Sequence, residues 1–173
     1  METTKNDMPE NAKIFFTKLK NYLDTPIYYY GSIQRFDYIS ERSDIDAAIF
    51  TNNFESTILK IQNFLNEKRS SFKKFVLRLE CCNTVAYGYK IKYEDKHGKF
   101  IAEIAIYSEK IKEKALKEQL IKCDIPFYIS FLLYILKTLY YRFKILPFNV
   151  FITLKRYCIN ILVNGKDTEY ILL

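Results

Sequence analysis

The sequence predicts an α+β fold, a two-layer α/β arrangement in which a mixed β-sheet is flanked by helices and followed by a helical C-terminal part. Three observations carry this. Apolar residues recur at helical spacing near the start and again after residue 53. Runs rich in β-branched and aromatic residues lie between and after those helices. From Ser108 onward the pattern turns helical again.

The first helix is read over residues 10–23 in "PENAKIFFTKLKNYLD", where Phe15, Leu19 and Tyr22 fall on one side. "PIYYY" is a short strand ending at Gly31, and "SDIDAAIF" is a second strand that stops at "TNN". Asn53 is a good N-cap for the next helix. Phe54, Ile58, Ile61 and Leu65 then make an apolar stripe at i, i+4, i+7 and i+11. "FKKFVLRLECC", "TVAYGYKIKYE" and "KFIAEIAIYS" have strand composition. "DKHG" turns the last two into a hairpin, with His97 as a solvated turn residue. Helices are expected over about 109–121, 126–144 and 148–163, bounded by Pro126, Pro147 and a stop signal at Gly165. The stretch "FYISFLLYILKTLYYRFKIL" is broken by Lys137, Arg142 and Lys144. It is too short in uncharged residues to span a bilayer, which needs ~20. It reads as a buried helix whose aromatics Phe127, Phe131, Tyr134 and Tyr141 are core, with a membrane-surface helix as the lesser alternative.

The chain has 173 residues, 49% of them hydrophobic, with only four Gly and four Pro, which excludes collagen-like and disordered classes. Its formal charge of +7 favours phosphate-rich partners. The excess of Lys, Ile, Asn and Tyr equally fits a solvated surface encoded by an AT-rich genome, such as that of a virus or parasite. Four cysteines without a C-x-x-C pair, and a single histidine, give no zinc-site spacing. The thiols read as buried and reduced, and the polar N-terminus shows no signal peptide, so an intracellular, cytoplasmic protein without integral membrane association is expected. "GKD" at 165–167 lacks the upstream glycine and following Ser/Thr of a P-loop.

The chemistry concentrates in "GSIQRFDYISERSDIDAAIF". On a strand, Asp44 and Asp46 project to one face, with Ile45, Ala47 and Ile49 on the other. Two adjacent carboxylates repel and resist burial, and a divalent cation relieves both problems. Mg²⁺ commonly takes one or two carboxylates together with substrate phosphates. Two such ions ~3.5–4 Å apart activate a hydroxyl and stabilise leaving pyrophosphate. Glu103 interrupts its own apolar strand in the same manner and is the third candidate ligand; Glu80, near a strand end, is the weaker one. Gly31 admits close backbone approach, and Ser32 with the neighbouring amides suits phosphate at the start of a short helix. Arg35 and Arg42 lie in the same connection and suit phosphate charge. Lys90 and Lys92 share a strand face flanked by Tyr89 and Tyr93, either a nucleic-acid track or a solubilising face. Lys73 with Lys74, and Lys155 with Arg156, are further basic pairs.

Gly-Ser, an intervening segment, and then Ser-Asp-x-Asp within apolar residues resembles the DNA polymerase β-like nucleotidyltransferase superfamily, and in motif the minimal nucleotidyltransferases. Gly31, Ser32, Arg35, Ser43, Asp44 and Asp46 match that motif; Phe36 departs from it, standing where the family often has Gly. The resemblance implies a nucleotidyltransferase catalytic core over about residues 1–110 and a helical extension, 111–173, packed on it. It implies transfer of an NMP or dNMP from an NTP or dNTP to an acceptor hydroxyl, with two Mg²⁺ (or Mn²⁺) ions. Asp44, Asp46 and Glu103 would be the catalytic metal ligands, and Gly31, Ser32, Arg35 and Ser43 would bind nucleotide. The acceptor is read as a DNA or RNA 3′-end. The alternatives are an antitoxin-like enzyme nucleotidylating a protein partner, or a catalytically silent module of the same fold that binds nucleic acid or protein.

Overall fold

The structure is a computed structural model and describes residues 1–40, 42–96, 98–162 and 171–172. Helix α1 spans Glu10–Leu23 and buries Ala12, Phe16, Leu19 and Leu23 along one stripe. Strand β1 (Tyr28–Tyr30) leads into a 3-10 turn at Gly31–Gln34. Strand β2 (Ile45–Thr51) follows, then α2 (Phe54–Leu65), whose first turn is capped by Asn53 Oδ1 accepting from the Ser56 amide at 3.0 Å. Strands β3 (Lys73–Leu79), β4 (Thr84–Glu94) and β5 (Ile101–Ser108) complete the sheet expected from the sequence. A 3-10 turn at Glu109–Ile111 opens α3 (Lys112–Cys123), and α4 (Phe127–Tyr141) and α5 (Phe148–Leu162) follow their prolines. His97 and residues 163–170, with Gly165 and the "GKD" segment, lie outside the described residues.

The sheet is mixed. Its order is β1-β2-β5-β4-β3, with a two-residue strand β6 (Ile171–Leu172) added beside β3. β2 and β5 run parallel at its centre and every other pair is antiparallel. Ile45, Ala47 and Ile49 of β2 and Ile104 and Ile106 of β5 face α1 and α2, forming one core with Phe16, Leu19, Ile58 and Ile61. On the other face Ala48, Phe50, Ala105 and Tyr107 pack with Ala115 and Cys123 of α3. That second core stops short of the strand ends carrying Asp46 and Glu103, which are half-buried.

Helices α4 and α5 form a pair with a small core of their own, built on Ile129, Leu133, Leu136, Phe151 and Cys158. The expectation that α4 is a buried helix is corrected here. The stripe through Ile129, Leu133 and Leu136 is covered, where α4 packs on α5 and on the Gly31–Ser43 connection. Phe127 is 67% exposed, Phe131 and Tyr134 are exposed, and Tyr141 is half-buried. No single helix among the described residues is long and apolar enough to cross a membrane. The thiol expectation is also adjusted: Cys123 and Cys158 are buried, whereas Cys81 and Cys82 are half-buried, and all four are free.

Replacing Asn53 with Ala removes the α2 cap and is expected to lower unfolding stability by about 1 kcal/mol, measured by chemical denaturation.

Candidate active site

Asp46 is the second residue of β2, and sheet register sets it directly beside Glu103 on β5 and Tyr30 on β1. Asp44 lies just before the strand rather than within it, and it lines the same cavity as Asp46. Asp46 makes no side-chain hydrogen bond or ion pair among the described residues. Burial pushes its carboxyl up to about 7; Glu103 and Asp44 add to the rise, while Lys155 and Arg35 oppose it. The two outer carboxylates have cations of their own. Lys92 Nζ lies 3.7 Å from Asp44 Oδ2, and Lys90 Nζ lies 3.2 Å from Glu103 Oε1. Lys90 and Lys92 do share a strand face, as the sequence indicates. Each lies within ion-pair distance of one of the carboxylates. Glu80 pairs with Arg78 at 3.4 Å in a turn after β3 and takes no part.

Gly31 is fixed to this position twice over. Its φ is +70°, in the region that favours glycine, and a Cβ built there would overlap the Asp46 carboxylate. The Gly-Ser turn and the aspartate strand are therefore shaped to each other. Ser32 is buried beside it, its carbonyl accepting from the Arg35 amide at 2.9 Å.

The connection between them is organised by Asp37, a residue that carries no motif. It is 0% exposed. Its carboxylate accepts a bidentate pair from Arg35, Nε to Oδ1 at 2.7 Å and Nη2 to Oδ2 at 3.1 Å. Lys137 of α4, only 3% exposed, reaches Asp37 Oδ2 at 2.9 Å, donates to the Asp37 carbonyl at 2.9 Å and to Ser43 Oγ at 3.2 Å. Burial works against the Asp37 charge, but Arg35 and then Lys137 outweigh it and hold the carboxyl below its ordinary range. Burial lowers Lys137 to about 8 in spite of Asp37. Ser43 Oγ also accepts from the Ile39 amide at 3.1 Å, so it ties the loop together. Phe36, which departs from the motif, packs its ring against Phe127 and Tyr134 of α4, at 5.3 and 5.6 Å between centroids. The space that glycine would leave is used to seat the C-terminal helix pair.

One cavity of about 190 Å³ gathers these groups. Gly31, Ser32, Arg35, Ser43, Asp44 and Asp46 line one side, and Lys137, Tyr141, Lys155 and Ile159 of α4 and α5 line the other. Six of the seven residues singled out from the sequence thus meet at one place. Glu103 stands next to Asp46 but is not in the lining. Asp37, Lys137 and Tyr141 are assigned no site role from the sequence, and Lys155 stands there only as half of a basic pair. A signal for Lys137 exists: it falls on the buried stripe of α4, where a lone cation needs a buried partner. Compared with known proteins, the chain matches no family model and no curated protein.

Two outcomes follow from this geometry. Gly31→Ala is expected to destabilise the fold by more than about 1 kcal/mol, because both the φ and the Asp46 overlap oppose it; thermal unfolding checks this. Asp46, with its native pKa raised, binds more protons folded than unfolded between about pH 4 and 7, so it lowers stability as pH rises through that window. Asp46→Asn is expected to raise stability on the order of 2 kcal/mol at pH 8, with the gain shrinking toward zero at pH 4, in denaturation measured across pH.

Proposed function

We propose that this chain is a nucleotidyltransferase that moves an NMP or dNMP from a nucleoside triphosphate to an acceptor hydroxyl. The observation that carries this reading is the shared cavity. Two aspartates, the Gly31–Ser32 turn and Arg35 line it together, with Glu103 in register beside Asp46. The donor set fits a hard divalent cation: carboxylate oxygens, one of them on a carboxyl raised to about 7 by burial and two like-charged neighbours. Asp44, Asp46 and Glu103 would hold Mg²⁺ or Mn²⁺, which when bound supplies activation of the hydroxyl and charge stabilisation of the departing pyrophosphate.

The chain's own groups do the rest. The Gly31 and Ser32 backbone and hydroxyl hold the β- and γ-phosphates. Arg35 commits two of its five donors to Asp37 and keeps the others for phosphate. Lys155, facing the aspartates from α5, adds a further cation. The acceptor oxygen bonds to the α-phosphorus, the bond from that phosphorus to the bridging oxygen breaks, and Glu103 takes the hydroxyl proton after exchanging its Lys90 contact. The net charge of +7 favours a nucleic-acid 3′-end as acceptor over a protein side chain.

A second reading is a silent binding module of the same fold. The Lys92–Asp44 and Lys90–Glu103 pairs favour it, since permanent counter-ions would keep the carboxylates from metal.

The test is incubation with labelled NTPs and dNTPs, Mg²⁺ or Mn²⁺, and a pool of DNA, RNA and protein acceptors. Wild type is expected to transfer label and to gain thermal stability with Mg²⁺, whereas Asp46→Ala loses both. Undiminished transfer by Asp46→Ala sinks the assignment. Metal-independent nucleotide binding without transfer favours the silent module.

A further inference from the structure

A second cavity, of about 370 Å³, adjoins the first and is lined by Arg42, Arg142 and Lys144 together with Tyr134, Thr138 and Tyr141. Tyr141 belongs to both cavities, and after burial the charge of Asp44 helps to raise its hydroxyl pKa. No carboxylate lines the second cavity among the described residues. Arg35, Lys90, Lys92 and Lys137 each face a carboxylate. Arg42, Arg142 and Lys144, by contrast, are exposed and form no ion pair among the described residues. Lys144 also holds a left-handed backbone (φ 52°), a conformation uncommon outside glycine and asparagine, at the turn that brings it beside Arg142.

We propose that this cavity binds the terminal nucleotides of a single-stranded nucleic acid. Arg42, Arg142 and Lys144 meet backbone phosphates, and Tyr134 and Tyr141 offer rings to the bases. Three cations gathered with no carboxylate among the described lining residues suit an anionic ligand, and flat aromatic groups among them suit one whose charge alternates with stacking surfaces. An inorganic anion would have no use for the rings. The shared Tyr141 sets the direction: a strand lying here ends at Asp44 and Asp46. The site names the acceptor for the nucleotidyltransferase reading and rests on that reading for what happens at the strand's end; binding itself does not require transfer.

The experiment is fluorescence anisotropy with labelled 12-residue single-stranded DNA and RNA across a salt series, on the full chain. The Arg42→Ala/Arg142→Ala/Lys144→Ala variant is expected to bind at least about tenfold more weakly. Its log–log salt slope is expected to be shallower by about 2, at ~0.7 for each phosphate no longer neutralised. Tyr134→Ala is expected to weaken binding about fivefold or more. Lys60→Ala/Lys73→Ala/Lys74→Ala removes the same charge elsewhere and is expected to bind within about twofold of wild type. Thermal unfolding of each variant confirms that it is folded. Several results overturn the proposal: wild type binding neither oligonucleotide, the first variant binding like wild type, or the control variant losing as much affinity. So does a wild type that ignores oligonucleotides and instead binds phosphatidylserine vesicles through the exposed side of α4. The two readings fail separately. Oligonucleotide binding that depends on Arg42, Arg142 and Lys144, without any label transfer, supports this site while removing the enzymatic reading. Label transfer to nucleic acid that is unaffected in the triple variant removes this site alone.

Discussion

A carboxylate with no solvent exposure has to have its charge met inside the protein, and Asp37 is such a group. Arg35, two residues away, meets it through a bidentate contact, and Lys137 meets it from a helix far along the chain. Removing one partner from a buried pair of this kind typically costs ~3–5 kcal/mol, because the remaining charge is stranded. Much else depends on this cluster. It folds the connection between β1 and β2 into a fixed shape through Ser43, and it locates α4 against that connection. It thereby decides which side chains form the far wall of the carboxylate cavity. Phe36 reinforces the same junction with aromatic contacts.

The cavity holds opposed charges in close quarters. Asp46 has no counter-ion in contact among the described residues and stays near the boundary between its protonated and ionised forms, whereas Asp44 and Glu103 have lysines within reach. A strand tolerates such a residue only where function or compensation supports it, since burial and like-charge repulsion both act against it. Gly31 shows how closely the backbone is fitted to that carboxylate.

The elements are legible in the sequence because their periodicities are clean. The Phe54–Leu65 stripe and the Asn53 cap stand where apolar spacing and capping chemistry put them, and α1 has the bounds its own spacing implies. The aspartates and Gly31 are legible because each breaks a local rule: charge inside an apolar strand, and glycine at a strand end. Asp37 is not, since a lone aspartate in a polar connection looks solvated until a distant cation is known to meet it. Lys137 looks like an interruption of an apolar helix. Only the pairing across the fold turns it into a core residue. The exposure of Phe127 and Phe131 is hidden for a related reason, because sequence marks a side chain as apolar without saying how many neighbours surround its helix. β6 is two residues long, too short for any alternation to reveal.

The contact between Lys137 and Asp37 spans 100 positions. During synthesis at ~5–20 residues per second, Asp37 emerges roughly 5–20 s before its second cation. By the last part of that interval, once Ser108 has been added, β1–β5 and the aspartates are all present, yet the wall that closes over them has not been made. The nascent chain carries the carboxylates of its cavity before it carries the enclosure, so the cavity closes only after the strands that bear them have been made.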